Sequence, residues 1–434
     1  MVVNTRREFI RDGAAALMLP GLGGCLTGSA VGGKYAGWRP GELDIHFIHT
    51  GVGEQTFFIF PDGTTMLLDC GDTHHAKHMK DVPPMPDGSR YGGEWVSRYI
   101  QRLIPQREID YAMVSHWHGD HTGDLDFGGK RTVDGRVVCG LPLVGEDFKF
   151  RHYLDHQYPK MGEHALDPDP NCLSLMKVWL PRAEAQGMKA HRFEVGARNQ
   201  IALLYDAAAF PEFEIRNIVA NGIIWDGRDG VVDVAKTHIA QTGKDEIHEN
   251  RLSAGIRIRY GRFSYYTGGD AELTMVGKNG REFSWEGLIG RTVGPVDVCK
   301  TNHHAGAFGM TPEFVKEVRA QVYLSSVWQA RMVDHKSLSA MCSRKLYPGD
   351  RYVCFGWIAD SVKDVAAAYG QDVAPGGHAV VKVTPGGGSY EVFTLDASDE
   401  SMRILARHSF VSGGGCPGDP RGCDDWRLVG RRRD

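Results

Sequence analysis

The densest chemistry in the chain is His116-Trp117-His118-Gly119-Asp120-His121, in which the spacing H-x-H-x-D-H sets four potential metal ligands within six residues. Imidazole and carboxylate together suit zinc or another borderline divalent ion. An ion held this way brings the pKa of its water to about 7 and polarises a carbonyl or phosphoryl oxygen, which is the chemistry of hydrolysis. Asp270, at the end of Thr267-Gly268-Gly269-Asp270, and the pair His303-His304 extend the inventory of ligands.

These residues need rigid supports. Ile109-Asp110-Tyr111-Ala112-Met113-Val114 reads as a buried strand leading into the histidine run, and Gly119, Gly123, Gly128 and Gly129 read as loop after it. Open sheets place their chemistry at such a strand end. Leu43 to His49, Thr56 to Phe60 and Thr64 to Leu68 predict a three-strand meander, with Pro61-Asp62-Gly63 as a tight turn. Trp95 to Ile104 has helical spacing. Ala254 to Tyr260 and Phe263 to Thr267 predict a hairpin ending at Asp270, and Pro295 to Cys299 a strand ending before His303. Thr311-Pro312-Glu313 has the cap and first-turn residues of a helix start.

A length of 434 residues allows one large domain with insertions or two domains. Hydrophobic content of 42% and charged content of 24% are those of a globular protein, and 55 glycines point to many turns. A net charge of −4, with no clustered basic side chains, gives no reason to expect a nucleic-acid partner. Of nine cysteines, Cys70, Cys139, Cys299 and Cys354 lie in apolar runs and read as buried and inert, while Cys416 and Cys423 could close a small disulfide loop.

The motif order resembles the metallo-β-lactamase superfamily. Phe47-Ile48-His49-Thr50-Gly51-Val52-Gly53-Glu54 is similar to the F-I-D-V-G-Q-G-D opening of its competence-protein-like branch, departing at His49 and Val52 and replacing the last aspartate by Glu54. The P-x-G and L-L-D-x-G segments follow, the second supplying Asp69. Asn250 and Ser253 match N-x-x-S, Asp270 matches T-G-D with one extra glycine, and His303-His304-Ala305-Gly306 is close to H-H-G-S. The resemblance covers roughly residues 43–395. It implies an αββα sandwich of two mixed β-sheets flanked by helices, and two divalent metal ions, zinc first, with manganese or iron as alternatives.

By the same pattern His116 and His118 would hold the first metal, and Asp120 with His121 the second. Asp270 would bridge both. One of His303 and His304 would complete the second site, with His304 preferred because a small residue and glycine follow it. Asp69 would fix the histidine loop rather than bind metal, and Asp120 would orient the water and shuttle its proton. The third imidazole of the first metal has no recognisable motif, although His152, His156, His191, His238 and His248 are available.

The amino terminus reads as an address. Thr5-Arg6-Arg7-Glu8-Phe9-Ile10-Arg11 resembles a twin-arginine motif, and Leu22-Gly23-Gly24-Cys25 a lipobox. The expected layout is a signal over 1–25, a linker over 26–42, the hydrolase domain over 43–397 with an insertion at about 130–215, and a tail over 398–434. The expected partners are the twin-arginine export machinery, a membrane surface through lipidated Cys25, and a small-molecule or envelope-polymer substrate. The protein would then be periplasmic or a membrane-anchored lipoprotein. The expected activity is hydrolysis of a phosphodiester or another cell-envelope ester. The alternatives are a β-lactam hydrolase and a surface-anchored binding module that has lost turnover.

Overall fold

Alternation along short apolar strands commits neighbouring side chains to opposite faces, and two sheets result. The computed structural model describes residues 30–73, 82–161, 169–242, 247–272, 274–276 and 282–413. In chain order the strands of the two large sheets begin with β1 (Leu43–Phe47), β2 (Thr56–Ile59), β3 (Thr65–Leu68), β4 (Glu108–Met113), β5 (Lys149–Asp155) and β6 (Lys189–Arg192). Then come β7 (Phe213–Ala220), β8 (Ile223–Trp225), β9 (Val231–Asp233), β10 (Gly255–Tyr260), β11 (Phe263–Thr267) and β12 (Val298–Lys300). The last are β13 (Val322–Ser325), β14 (Tyr352–Phe355), β15 (Asp372–Val373), β16 (His378–Val383), β17 (Ser389–Leu395) and β18 (Ile404–Val411).

The first sheet has the order β18-β17-β16-β1-β2-β3-β4-β5-β6 and the second β9-β8-β7-β10-β11-β12-β13-β14-β15. Pairing is antiparallel at one side of each sheet and parallel from β3 to β6 and from β11 to β15. Ile45, Phe58, Met66 and Met113 of the first sheet share one core with Ile256, Tyr265, Val298 and Leu324 of the second. The alternate residues Phe57, Leu67 and Ala112 face the helices Gly92–Leu103, Gly140–Asp147 and Pro170–Ala185. On the far side Cys299, Tyr323 and Val353 meet the helices Trp285–Val293, Pro312–Val318 and His335–Cys342. The architecture is therefore the expected αββα sandwich, with apolar burial on three levels.

Three boundaries differ from the sequence reading. Lys149–Asp155 was expected inside an insertion over the site, and within the same insertion a short strand was expected at His191 to Val195; Lys149–Asp155 and Lys189–Arg192 are parallel strands of the first sheet. Charged alternate residues hid the first of these, because β5 runs from exposed Lys149 to buried Asp155. The expected tail contributes β18, paired with β17, so the sheet continues past residue 397. The expected linker is also packed: Gly32 N donates to Ile404 O and Tyr35 is buried. The signal motifs, Cys25, Cys416 and Cys423 lie outside the described residues. No helix among the described residues is long and apolar enough to cross a membrane.

Candidate metal centre

Two rims meet where the parallel strands end. From the first sheet, β3 runs into Asp69 and β4 into the His116–His121 turn; from the second, β11 leads to Asp270 and β12 to His303 and His304. Asp69 Oδ1 accepts from Ser115 N at 2.7 Å, and its Oδ2 takes Ser115 Oγ at 2.7 Å and stands 2.9 Å from His121 Nδ1. Asp69 thus holds the histidine turn from beneath. Asp69, His303 and His304 have φ of 56°, 47° and 53°, in the left-handed region that bulky residues avoid. Such strain persists only where surrounding contacts enforce it, and it gathers at functional sites.

The centre of the arrangement is tight. His121 Nε2 lies 3.3 Å from His304 Nε2 and 3.3 Å from Asp270 Oδ1. His304 Nε2 is 2.9 Å from Asp120 Oδ2 and 3.3 Å from Asp270 Oδ2. Glu54 stands behind His304, with Oε2 3.3 Å from its Nδ1. Ligand atoms of Glu54, His121, Asp270 and His304 all fall within 4.8 Å of one another. Beside this group, His116 Nε2 and His118 Nδ1 converge to 3.2 Å, and the rings of His116 and His121 are 4.1 Å apart.

His303 is placed differently from His304. Its Nδ1 contacts Glu272 Oε2 at 2.5 Å, its Nε2 is 4.0 Å from Asp270 Oδ2, and its side chain is partly exposed. The structure therefore brings His304 into the tight group and turns His303 to its margin. Asn250 Nδ2 lies 3.4 Å from His303 Nε2, and Ser253 Oγ accepts from Asp270 N at 3.1 Å. The extra glycine before Asp270 is also explained. Gly269 has φ of 54°, and a Cβ there would meet Ser115 Cβ and Ser115 Oγ at 2.8 Å.

Several participants were not singled out from the sequence. Lys300 is fully buried, 3.0 Å from Glu54 Oε2 and 3.5 Å from Asp270 Oδ1, and donates to Gly269 O at 2.7 Å. Trp328 Nε1 donates to Asp120 Oδ2 at 2.8 Å. Glu249 Oε1 accepts from Trp117 N at 2.9 Å and lies 3.0 Å from His156 Nε2, so this buried pair braces the turn between His116 and His118. Of the other imidazoles considered for the first metal, the His248 ring lies 6.1 Å from that of His118. His152 and His191 stack on each other, on β5 and β6. A lysine closing the apolar strand Val298-Cys299-Lys300 was the available signal for Lys300, and Glu54 stood in the opening motif.

The donor set suits a divalent cation. With Asp69 at Nδ1 of His121 and Glu54 at Nδ1 of His304, the two Nε2 lone pairs are turned towards each other. At 3.3 Å they repel unless a proton or a metal lies between. Burial disfavours charged rings, yet Asp270, Asp120 and Asp69 hold His121 well above its ordinary value, and Asp270 does the same for His304. Burial pushes His116 well below its ordinary value, with His121 adding to the effect, so it is a neutral donor. Four buried carboxylates (Glu54, Asp69, Asp120 and Asp270) gather here around Lys300 and the raised His121 and His304, and a cation can take the place of the imidazole protons in pairing them.

Residues 49–142 match the family model of the metallo-beta-lactamase superfamily. The match runs from the loop of Glu54 through Asp69 and the whole His116–His121 turn. No curated protein matches the chain. The match over residues 49–142, the sandwich and the grouped histidines and carboxylates together suggest a metal-dependent hydrolase with a candidate ligand cluster for a divalent metal.

Proposed function

We propose that the protein is an exported hydrolase that uses two divalent metal ions, zinc first, to cleave a phosphodiester or another ester of the cell envelope. The observation that carries the hydrolytic reading is the convergence of His121 Nε2, His304 Nε2, Asp270 and Asp120, with His116 and His118 alongside. His116 and His118 would hold one ion, Asp120, His121 and His304 would hold the other, and Asp270 would serve as a shared ligand. When bound, the ions supply Lewis acidity and an acidified water.

The chain's own groups do the positioning. Asp69 and Glu54 fix the tautomers of His121 and His304. Trp328 and His304 both contact Asp120 Oδ2, and His121 with His304 keeps this carboxylate ionised against the effect of burial. Asp120 is then an oriented acceptor for the proton of the attacking water. Phosphodiester chemistry is favoured by the motif order of the competence-protein-like branch, and export by the twin-arginine and lipobox motifs.

The test is hydrolysis of bis-p-nitrophenyl phosphate by the purified full chain, with and without added zinc or manganese. Metal-dependent release of p-nitrophenol that His118→Ala abolishes, with the fold retained, is the expected result. Bound metal without turnover of phosphodiesters, carboxylic esters or β-lactams would overturn the hydrolase reading in favour of a binding module.

A further inference from the structure

The parallel strands of the second sheet end side by side on one rim. Asp270 follows β11, His304 follows β12, Trp328 follows β13, Trp357 follows β14 and Ala374 follows β15. Neighbouring strands are about 4.8 Å apart, so the end of β14 lies about 10 Å along the rim from the end of β12. There the rim opens into a cavity of about 650 Å³, lined by His49, Met85, Trp357, Ile358, Val373 and Ala374, with Lys363 and Asp396 as further charged members.

This cavity is continuous with the first sheet. His49 N donates to His378 Nδ1 at 3.0 Å, and Gly377 N donates to Gly356 O at 2.8 Å. A Cβ on Gly356 would stand 2.3 Å from His49 Nδ1, so glycine is what lets the ring sit in the wall. His49 occupies the position at which the chain departs from the opening motif. Its Nε2 is buried and has no hydrogen-bond partner among the described residues, an arrangement that calls for an explanation in a native interior. Burial pushes the ring down to about 4, so the wall it forms carries no charge at neutral pH.

We propose that this cavity takes the neutral alkyl or aryl arm of an ester substrate whose scissile bond lies at the metal centre. The inference rests on the hydrolase reading for its ester, and on the cavity for its arm. The volume is that of a small-molecule pocket, and a mainly aliphatic, thioether and indole lining with a few polar groups (His49, Ser398, Lys363 and Asp396) is the composition such pockets have. A substrate with two small polar arms would leave this stretch of rim unused.

The experiment compares binding of methyl octyl phosphate and dimethyl phosphate to the full chain as purified, by titration calorimetry. The octyl ester should bind at least about tenfold more tightly, because several methylenes leave water. Ile358→Glu and Val373→Glu, each placing a charge in the lining, should bring the ratio close to one while the melting temperature stays near that of the parent. Equal binding of the two esters by the parent chain would overturn the proposal, as would a preference that survives in both folded variants. A preference for the octyl arm without metal-dependent hydrolysis of any ester would support the apolar site and overturn the hydrolase reading separately.

Discussion

Two buried charged clusters, one on the first sheet and one where the rims of the two sheets meet, are built on opposite plans. Around Asp44 on β1, Tyr35 Oη donates at 2.5 Å, and Lys382 Nζ donates to Asp44 at 2.9 Å and to Glu42 at 2.5 Å. This cluster supplies its own donors and its own cation. At the rim, Asp69, Asp120, Asp270 and Glu54 gather around imidazoles whose Nε2 atoms face one another, with Lys300 as the one ammonium. A buried charge must be paired to be tolerated. The Asp44 cluster is paired within the chain and holds the fold; the rim cluster has the donor set to take cations from outside. Burial of charge alone does not separate structure from function, whereas the balance of donors does.

The largest expected effect breaks the self-sufficient cluster. Lys382→Met leaves Asp44 and Glu42 without their cation and should cost about 3–5 kcal/mol of stability. Urea denaturation would measure this, and the loss should be the same with chelator or with zinc. Asp69→Asn acts on the other plan. It loosens His121 and should weaken metal affinity by about 10- to 100-fold, while unfolding in chelator changes much less. Competition titration against a chromophoric chelator would read the affinity.

The pH windows of Asp44 and of the two rim histidines should also be opposite. Burial raises Asp44, but Lys382 and His46 outweigh it and lower it from 3.8 to about 2. Its contribution is present above 3.8 and is lost as pH falls through about 2. His121 and His304 are raised well above 6.5 despite burial. In metal-free protein their contribution is complete below 6.5 and is lost as pH rises through the raised values. Bound metal takes the place of those protons, so zinc should remove the loss on the alkaline side and leave the acid side unaltered. Denaturation midpoints across pH, in chelator and in zinc, would show whether the two windows separate.

The rim cluster was the more legible of the two in the sequence. H-x-H-x-D-H is a local signal, and Asp69, Asp270 and His304 each sit just past an apolar strand, where period-two patterning points. Lys300, Trp328 and the His156–Glu249 brace come together only through tertiary contacts between distant strands, and no local spacing marks them. The Asp44 cluster was silent for the same reason, since Tyr35 lay in an expected linker and Lys382 in a late strand. The individual strands followed from apolar patterning, and the sandwich from the resemblance carried by the order of the motifs. The strands β5 and β18 escaped because partial exposure lets charged residues break the apolar pattern, and β6 was read two residues late, from His191.

The central claim is that the rim cluster is a divalent-metal centre. Its most direct test is the metal content of the purified full chain by inductively coupled plasma mass spectrometry, before and after reconstitution with zinc, beside Asp270→Ala. Two ions per chain, falling to one or none in the variant, is the predicted result. A chain that binds no divalent metal after reconstitution, while folded and at neutral pH, would contradict the account.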